Sequence, residues 1–224
     1  LCVEPQQAFY AQVKPEQVPR IIEAALAGGF AEELLYRDPQ TQRPCRHRDE
    51  IPFFKHQQRT ILGLSQRIDP TRICDYLMHE GYLALEKALS SDSPAWVLQE
   101  VKESGLRGRG GGGFPTGVEW EMLARQPGRR GKIVVCNADE GDPGAYMDRS
   151  VLEGNPHSII EGMLIGAYAT GATEGIVYVR AEYPLAIENL SLALDQAREL
   201  ALLGTDILGP GFSFDKNNVD ADDA

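Results

Sequence analysis

Between Gly105 and Gly117 the chain reads GLRGRGGGGFPTG, seven glycines interrupted by Arg107 and Arg109. No other stretch restricts the fold so much. Residues without a Cβ tolerate positive φ and let backbone N–H groups approach a ligand closely. Successive amides in such a turn make a concavity for anions, and two guanidiniums add fixed charge and bidentate donors. A flexible linker is the plainer alternative, but linkers favour serine over arginine and rarely enclose Phe-Pro-Thr.

The spacing Gly108-x-Gly110-x-x-Gly113 fits the dinucleotide fingerprint formally, yet in a run this rich in glycine the match is nearly automatic. The fingerprint also requires a strand before it. Here residues 94–104 read as a helix capped by Ser93-Pro94, and the nearest strand, residues 132–136, follows the loop. An ordinary Rossmann nucleotide site at this loop is therefore not expected. Residues 120–125 look helical, so the loop leads into a helix N-terminus, a combination that favours phosphate. Beyond the strand comes the polar turn NADEGDPGAYMDR, starting at Asn137. An α/β sheet usually presents ligand groups past the C-terminal ends of its strands.

Together GLRGRGGGGFPTG and VVCNADEGDPGAYMDRSVLEGNPH resemble the FMN- and NAD(H)-binding subunit of respiratory complex I. They are closest to the related subunits of NAD(P)-linked hydrogenases and formate dehydrogenases. The resemblance extends more loosely over nearly the whole chain, as far as Phe214-Asp215. It implies FMN lying across the loop backbone, with Gly108, Arg109, Gly110, Gly111 and Gly113 around it. Asn137, Asp139 and Glu140, with Gly141 beside them, would hold the ribityl hydroxyls and the flavin edge. Phe114 would pack against the nicotinamide nucleotide and Asp142 would lie near its ribose hydroxyls. Tyr146, Arg180 and Glu182 are lesser candidates. The family oxidises NADH by hydride transfer to FMN and passes electrons singly to iron–sulfur clusters.

Each of these residues also has a plainer reading. Phe114 could anchor the loop in a core, the Asp139/Glu140/Asp142 cluster could be a solvated turn, and Arg180 with Glu182 could be a structural ion pair. Paired Asp and Glu also suit hydrolytic acid/base work, but the glycine loop and the lack of a placed nucleophile speak against it. The chain departs from the family in three places. Glu119 stands where a lysine usually follows FPTG-x, and Met122 replaces an aromatic two residues after Trp120. After Asp215 the second glycine/glutamate motif, the Asn-Asn-x-Glu segment and the four-cysteine cluster domain are missing; Asn217-Asn218-Val219-Asp220 echoes that segment too early.

The formal charge of −11 argues against nucleic acid or an anionic membrane surface as the main partner. A phosphate cofactor stays compatible, because the loop arginines act locally. No apolar run reaches eighteen residues, so no transmembrane segment is expected. Nor does the N-terminus read as a signal peptide, which points to a cytoplasmic location, at most peripheral to a membrane complex. Starting at Leu1 rather than Met suggests a piece of a longer chain. Cysteines 2, 45, 74 and 136 form no CxxC pair, so neither zinc nor a complete iron–sulfur site is read here. Cys45 with His47 is one pair without further ligands, better read as a solvated loop, and Cys2 is an orphan of a cluster position.

Residues 9–13 alternate enough for a strand. A helix follows, with Pro15 near its start, Gly28-Gly29 at its stop and an apolar face of Val18, Ile21, Ile22, Ala25 and Leu26. Residues 34–36 suggest a further short strand. A helical region runs to about residue 89, broken at Asp69-Pro70, with Asp69 as N-cap; His56 and His79, the latter four residues after Asp75, are read as packing or surface groups. QPGRR at 126–130 is a turn, residues 156–171 a helix with a glycine end, 175–180 a strand and 184–203 a helix. That β-α-β-α order implies parallel strands under covering helices.

The expected fold is therefore α/β: a Rossmann-like flavin- and nucleotide-binding domain at 94–215, incomplete, preceded by a remnant of a thioredoxin-like domain at 1–37 and a helical connecting segment at 38–93. Residues 216–224 are expected to be a disordered acidic tail. The expected function is the FMN-binding part of an NAD(P)H-oxidising oxidoreductase, using NAD(H) or NADP(H) as substrate. Iron–sulfur clusters would lie in missing regions or in partner subunits of a multisubunit redox complex. No catalytic side chain is assigned, since the cofactor carries hydride chemistry, and no metal ligand. The alternative is a truncated, non-catalytic nucleotide-binding or assembly fragment.

Overall fold

The computed structural model describes residues 1–65, 67–128, 131–209 and 211–221, and it divides between Arg59 and Thr60 into two units. The expected divisions at 37 and 93 do not appear, and the helices after residue 72 belong with the α/β unit. The reason is burial: Ile73, Tyr76 and Leu85 share one apolar core with Leu164 and Leu190.

The first unit pairs β1 (Cys2–Val3) with β2 (Ala8–Phe9), both antiparallel, and then forms α1 (Val18–Leu26). A second antiparallel pair joins β3 (Tyr36–Arg37) to β4 (Pro44–Cys45), and a single turn, α2 (Pro52–Lys55), follows. Tyr10 is buried in this core, and its phenol oxygen accepts a 3.0 Å hydrogen bond from the Ala31 N–H. The apolar face expected on α1 is rotated: Ile21 and Ala24 are buried, whereas Ile22 and Leu26 are exposed. Covering a whole stripe needs more chain than this small core brings against it.

In the second unit α3 (Ile73–Met78), α4 (Leu83–Ser90), α5 (Pro94–Glu103) and α6 (Thr116–Ala124) precede β5 (Ile133–Ala138). Then follow α7 (Met147–Gly154), α8 (Pro156–Thr170), β6 (Glu174–Val179), α9 (Pro184–Glu199) and β7 (Asp215–Ala221). The sheet runs β5-β6-β7 and both pairs are parallel. Asp69 does not cap α3: its carboxylate accepts from the Thr71 N–H (2.9 Å) and hydroxyl in an Asx turn, and the helix starts three residues later than expected, with Arg72 at the cap position. The QPGRR turn falls partly outside the described residues, at Arg129 and Arg130, as does the end of the acidic tail, residues 222–224.

From Lys216 to Ala221 the expected tail is instead β7. The chain is delivered to the free edge of β6 by Phe214, which is buried and exchanges hydrogen bonds of 2.9 and 2.8 Å with Gly204. Gly175 in β6 makes room for it, since a Cβ there would lie 2.5 Å from the Phe214 ring. Val177, Val179 and Ala138 turn inward against α8 and α9. On the opposite face of β5, Ile133 and Val135 are 44% and 58% exposed.

Candidate functional site

The glycine loop is a closed hairpin on two locked helices. Ser93 Oγ accepts the Trp96 N–H at 3.2 Å, the cap the sequence shows, and starts α5. At Gly117 α6 crosses α5 so closely that a Cβ would lie 2.7 Å from Lys102 N and 2.8 Å from its Cα. Between the helices, Gly108 N bonds Phe114 O (2.9 Å) and Thr116 N bonds Leu106 O (2.9 Å). Arg107 Nη1 reaches across to Gly113 O (3.0 Å), so this guanidinium braces the loop. Arg109 makes no ion pair among the described residues and is exposed. Gly111 and Gly113 have φ of +107° and +61°, which an L side chain rarely adopts. Nothing lies within 4 Å of where a Cβ would project from Gly110, Gly111, Gly112 or Gly113, so this backbone is open to a ligand.

Facing the loop is the C-terminal end of β5. A cavity of about 300 Å³ joins them, with Arg107, Arg109, Thr116, Asn137 and Asp148 as its polar lining and Leu106, Cys136, Met147 and Leu152 among the apolar walls. That volume is at the lower end for a small-molecule site, and the mix of apolar walls with a few convergent polar groups is the usual one. Two guanidiniums and an amide side chain, with the open backbone of Gly110 to Gly113 following Arg109 in sequence, suit an anionic, planar, hydroxyl-bearing group such as FMN.

The acidic turn after β5 is ordered from within. Asn137 Oδ1 accepts the Asp139 N–H at 3.0 Å, and Asp142 Oδ1 accepts Gly144 N–H at 2.9 Å. Glu140 sends its two carboxylate oxygens to the Asp148 and Arg149 amides (3.1 and 3.3 Å), the first turn of α7, where a negative group is favoured. Arg180 Nη1 donates to Glu140 O (2.9 Å) and Nη2 to Glu182 Oε1 (3.1 Å), with Nε 3.7 Å from Asp139 Oδ1. The structural ion pair read for Arg180 and Glu182 is present. Burial, and then the Glu140 charge, push the Asp148 carboxyl above its usual value.

Of the expected residues, the structure brings Arg109 and Asn137 to one cavity, whereas Gly108, Gly110, Gly111, Gly113, Asp139 and Glu140 are not among its lining residues. Phe114 is half exposed rather than a core anchor; Tyr146 is also exposed, and neither Gly141 nor Asp142 lines the cavity. Met147, Asp148 and Thr116 line it without having been singled out. The first two sit inside the NADEGDPGAYMDR motif, and the missed signal was α7 itself, with Met147 and Val151 one turn apart before the Pro156 helix. The Cys45 thiol is buried, which raises its pKa, and His47 Nδ1 faces Gln7 O at 3.4 Å. His79 Nδ1 meets the main-chain oxygen of Asp75 at 2.9 Å, not its carboxylate.

Residues 101–208, which hold the loop, the acidic turn and all of the cavity lining but Ile61, match the family model described as the Nuo51 FMN-binding domain. This part of the chain is thus similar to a class of flavin-binding domains. More particularly, the chain is 57% identical over 148 residues to the NADP-reducing hydrogenase subunit HndC of Solidesulfovibrio fructosivorans, covering 66% of this chain and 30% of that protein. It is 42% identical over 146 residues to an NADH-quinone oxidoreductase subunit of Escherichia coli, covering 65% of this chain and 33% of that one. The chain therefore spans about a third of the length of these relatives. A crystal structure of an NAD+-reducing [NiFe]-hydrogenase in the H2-reduced state has the same fold over 92% of this chain and 31% of its own, with a TM-score of 0.52 and 25% identity.

Proposed function

We propose that this chain is the FMN-binding part of an NAD(P)H-oxidising electron-transfer oxidoreductase. The observation that carries the reading is the cavity that Arg107 and Arg109 of the glycine loop share with Asn137 at the end of β5. Gly108, Arg109, Gly110, Gly111 and Gly113 would take the phosphate side of FMN, and Asn137 with Asp139 its hydroxyls. Phe114 and Asp142, both exposed, would meet the nicotinamide nucleotide. When bound, FMN supplies a hydride acceptor for NADH or NADPH and a donor of single electrons to iron–sulfur clusters held elsewhere. The protein's part is to grip the phosphate, orient the ring and keep water from it.

The three parallel strands with α7, α8 and α9 are read as part of a Rossmann-like domain, approached by its ligand beyond the strand ends. HndC and its Escherichia coli counterpart are both named as subunits, which supports partners in a multisubunit redox complex. Among the described residues no helix is long and apolar enough to cross a membrane, consistent with a cytoplasmic, peripheral placement. The reading is tested on the purified chain: quenching of FMN fluorescence at stoichiometric protein and NADH-dependent reduction of an artificial acceptor support it. Glu119, in the first turn of α6, favours the second reading of a non-catalytic fragment, which predicts unquenched FMN and a melting temperature that ignores it.

A further inference from the structure

We propose that Arg180 is a positioning residue of this site, a role that rests on the flavin reading and deepens it. Arg180 follows the last residue of β6 and does not line the cavity. Its side chain is 30% exposed and holds three groups of the neighbouring chain: Glu140 O at 2.9 Å, Glu182 Oε1 at 3.1 Å and Asp139 Oδ1 at 3.7 Å. The Tyr183 hydroxyl donates to the same Glu140 oxygen at 3.4 Å, and the Tyr183 ring lies 5.3 Å from the Arg149 guanidinium carbon. With its main chain clamped, Glu140 is placed to receive the Asp148 and Arg149 amides on its carboxylate.

A continuous series of bonds thus runs from the end of β6, through the acidic turn, to the N-terminus of α7. That helix end contributes Met147 and Asp148 to the cavity, and the turn begins at Asn137 on its other wall. Arg180 sets the separation of these two walls without touching the ligand. Only a planar fork with several fixed donors spans such acceptors; a lysine keeps the charge but has a single point of attachment.

The test compares wild type with Arg180→Lys and Arg180→Met in the full chain, with two readouts. Site-resolved amide exchange without FMN is expected to speed up at Asp148 and Arg149 by about tenfold, the loss of one charge-assisted bond, while α8 amides stay unchanged. The FMN dissociation constant, by fluorescence quenching, is expected to rise about tenfold, with Arg180→Lys between wild type and Arg180→Met. If Arg180→Met does not fold, the lysine variant carries both measurements. Unchanged exchange at Asp148 and Arg149 overturns the positioning role whatever FMN does. Faster exchange with unchanged FMN affinity overturns its relevance to the ligand. Unquenched FMN with wild type instead sinks the flavin reading, and the ligand part of the proposal with it; exchange, read without FMN, still decides the structural part.

Discussion

Two polar regions of the second unit treat their hydrogen-bonding groups in opposite ways. At the start of α4 the buried Glu161 carboxylate accepts from the Tyr76 hydroxyl (2.6 Å), Tyr82 N (3.0 Å) and Leu85 N (3.1 Å). The adjoining His157 is bonded at both ring nitrogens, to Tyr82 Oη at 3.0 Å and Gln196 Oε1 at 3.2 Å. In the loop at 105–117 the glycines from 110 to 113 face open space and Arg109 stands clear of carboxylates among the described residues. Both regions are rich in polar groups, but only the first is closed on itself. A buried polar network that is complete holds the fold; donors that a chain leaves open at a rim of fixed geometry are available to something else.

The largest expected effect breaks the closed region. Glu161→Ala leaves three donors without an acceptor in an apolar core, at roughly 1–3 kcal/mol each before relaxation. A loss of about 3 kcal/mol or more is expected, read as a lower urea midpoint. Tyr76 and Tyr82, whose phenols burial and the Glu161 carboxylate hold well above their ordinary pKa, are expected to lose near-UV circular dichroism in this variant. A change below about 0.5 kcal/mol would mean the carboxylate is not what holds α4 to α8.

Next comes the base of the open region. Gly117→Ala forces a Cβ onto the Lys102 backbone and is expected to destabilise by about 1–3 kcal/mol. Gly112→Ala meets nothing within 4 Å and has no positive φ, so its stability is expected to stay within about 0.5 kcal/mol. Its FMN affinity should nevertheless fall, because a methyl group then stands between amide and ligand. Equal behaviour of the two variants would erase the distinction between loop base and loop rim.

Charge sharpens the comparison further. Arg109→Gln removes an exposed guanidinium that makes no ion pair among the described residues. Unfolding should therefore not change, while FMN binding weakens by about tenfold or more, the worth of a hydrogen bond between charged groups. Glu119→Lys should tighten FMN by a few-fold, and more at low salt, since exposed charges are screened. No gain at low salt would remove Glu119 as an obstacle to the phosphate.

What the sequence made legible was local. Ser93 before Pro94, Gly171 in the left-handed conformation at the end of α8 (φ +74°) and the β-branched strand at 174–179 each act through neighbours a few residues away. The open backbone of the loop was legible because seven glycines in thirteen residues leave little else to cover it. The division of labour between its arginines was not, since Arg107 turns inward through the fold of the hairpin. Nor was the turn from tail to strand at Asp215–Ala221, which depends on the free edge of β6 and on Phe214 fitting over Gly175. Glu161, His157 and Gln196 are inconspicuous in sequence; their partners outside this trio lie 75 to 125 residues away.

The smallest expected effect comes from the same closed network and follows from its proton positions. Gln196 Oε1 accepts the Ile73 N–H (3.0 Å) and Gln196 Nε2 donates to Thr71 O (2.7 Å), so backbone groups fix which way the amide points. His157 must then donate from Nε2 to Gln196 Oε1, leaving Nδ1 to accept the Tyr82 hydroxyl. This neutral tautomer leaves no place for a second proton, and burial lowers the His157 pKa from its ordinary value. The unfolded chain therefore binds that proton more readily than the native one. The contribution is fully present above about pH 6.5, the unfolded value, and is lost as pH falls from there towards the lower folded value. The slope is at most about 1.4 kcal/mol per pH unit. His157→Gln, retaining a donor and an acceptor, should flatten the stability profile just below about pH 6.5 relative to wild type. Since His157 lies in the closed network and not at the cavity, FMN affinity at pH 7.5 should be the same in both proteins. An unchanged slope would show that the histidine accepts a proton in place, and that the region is less closed than its hydrogen bonds describe.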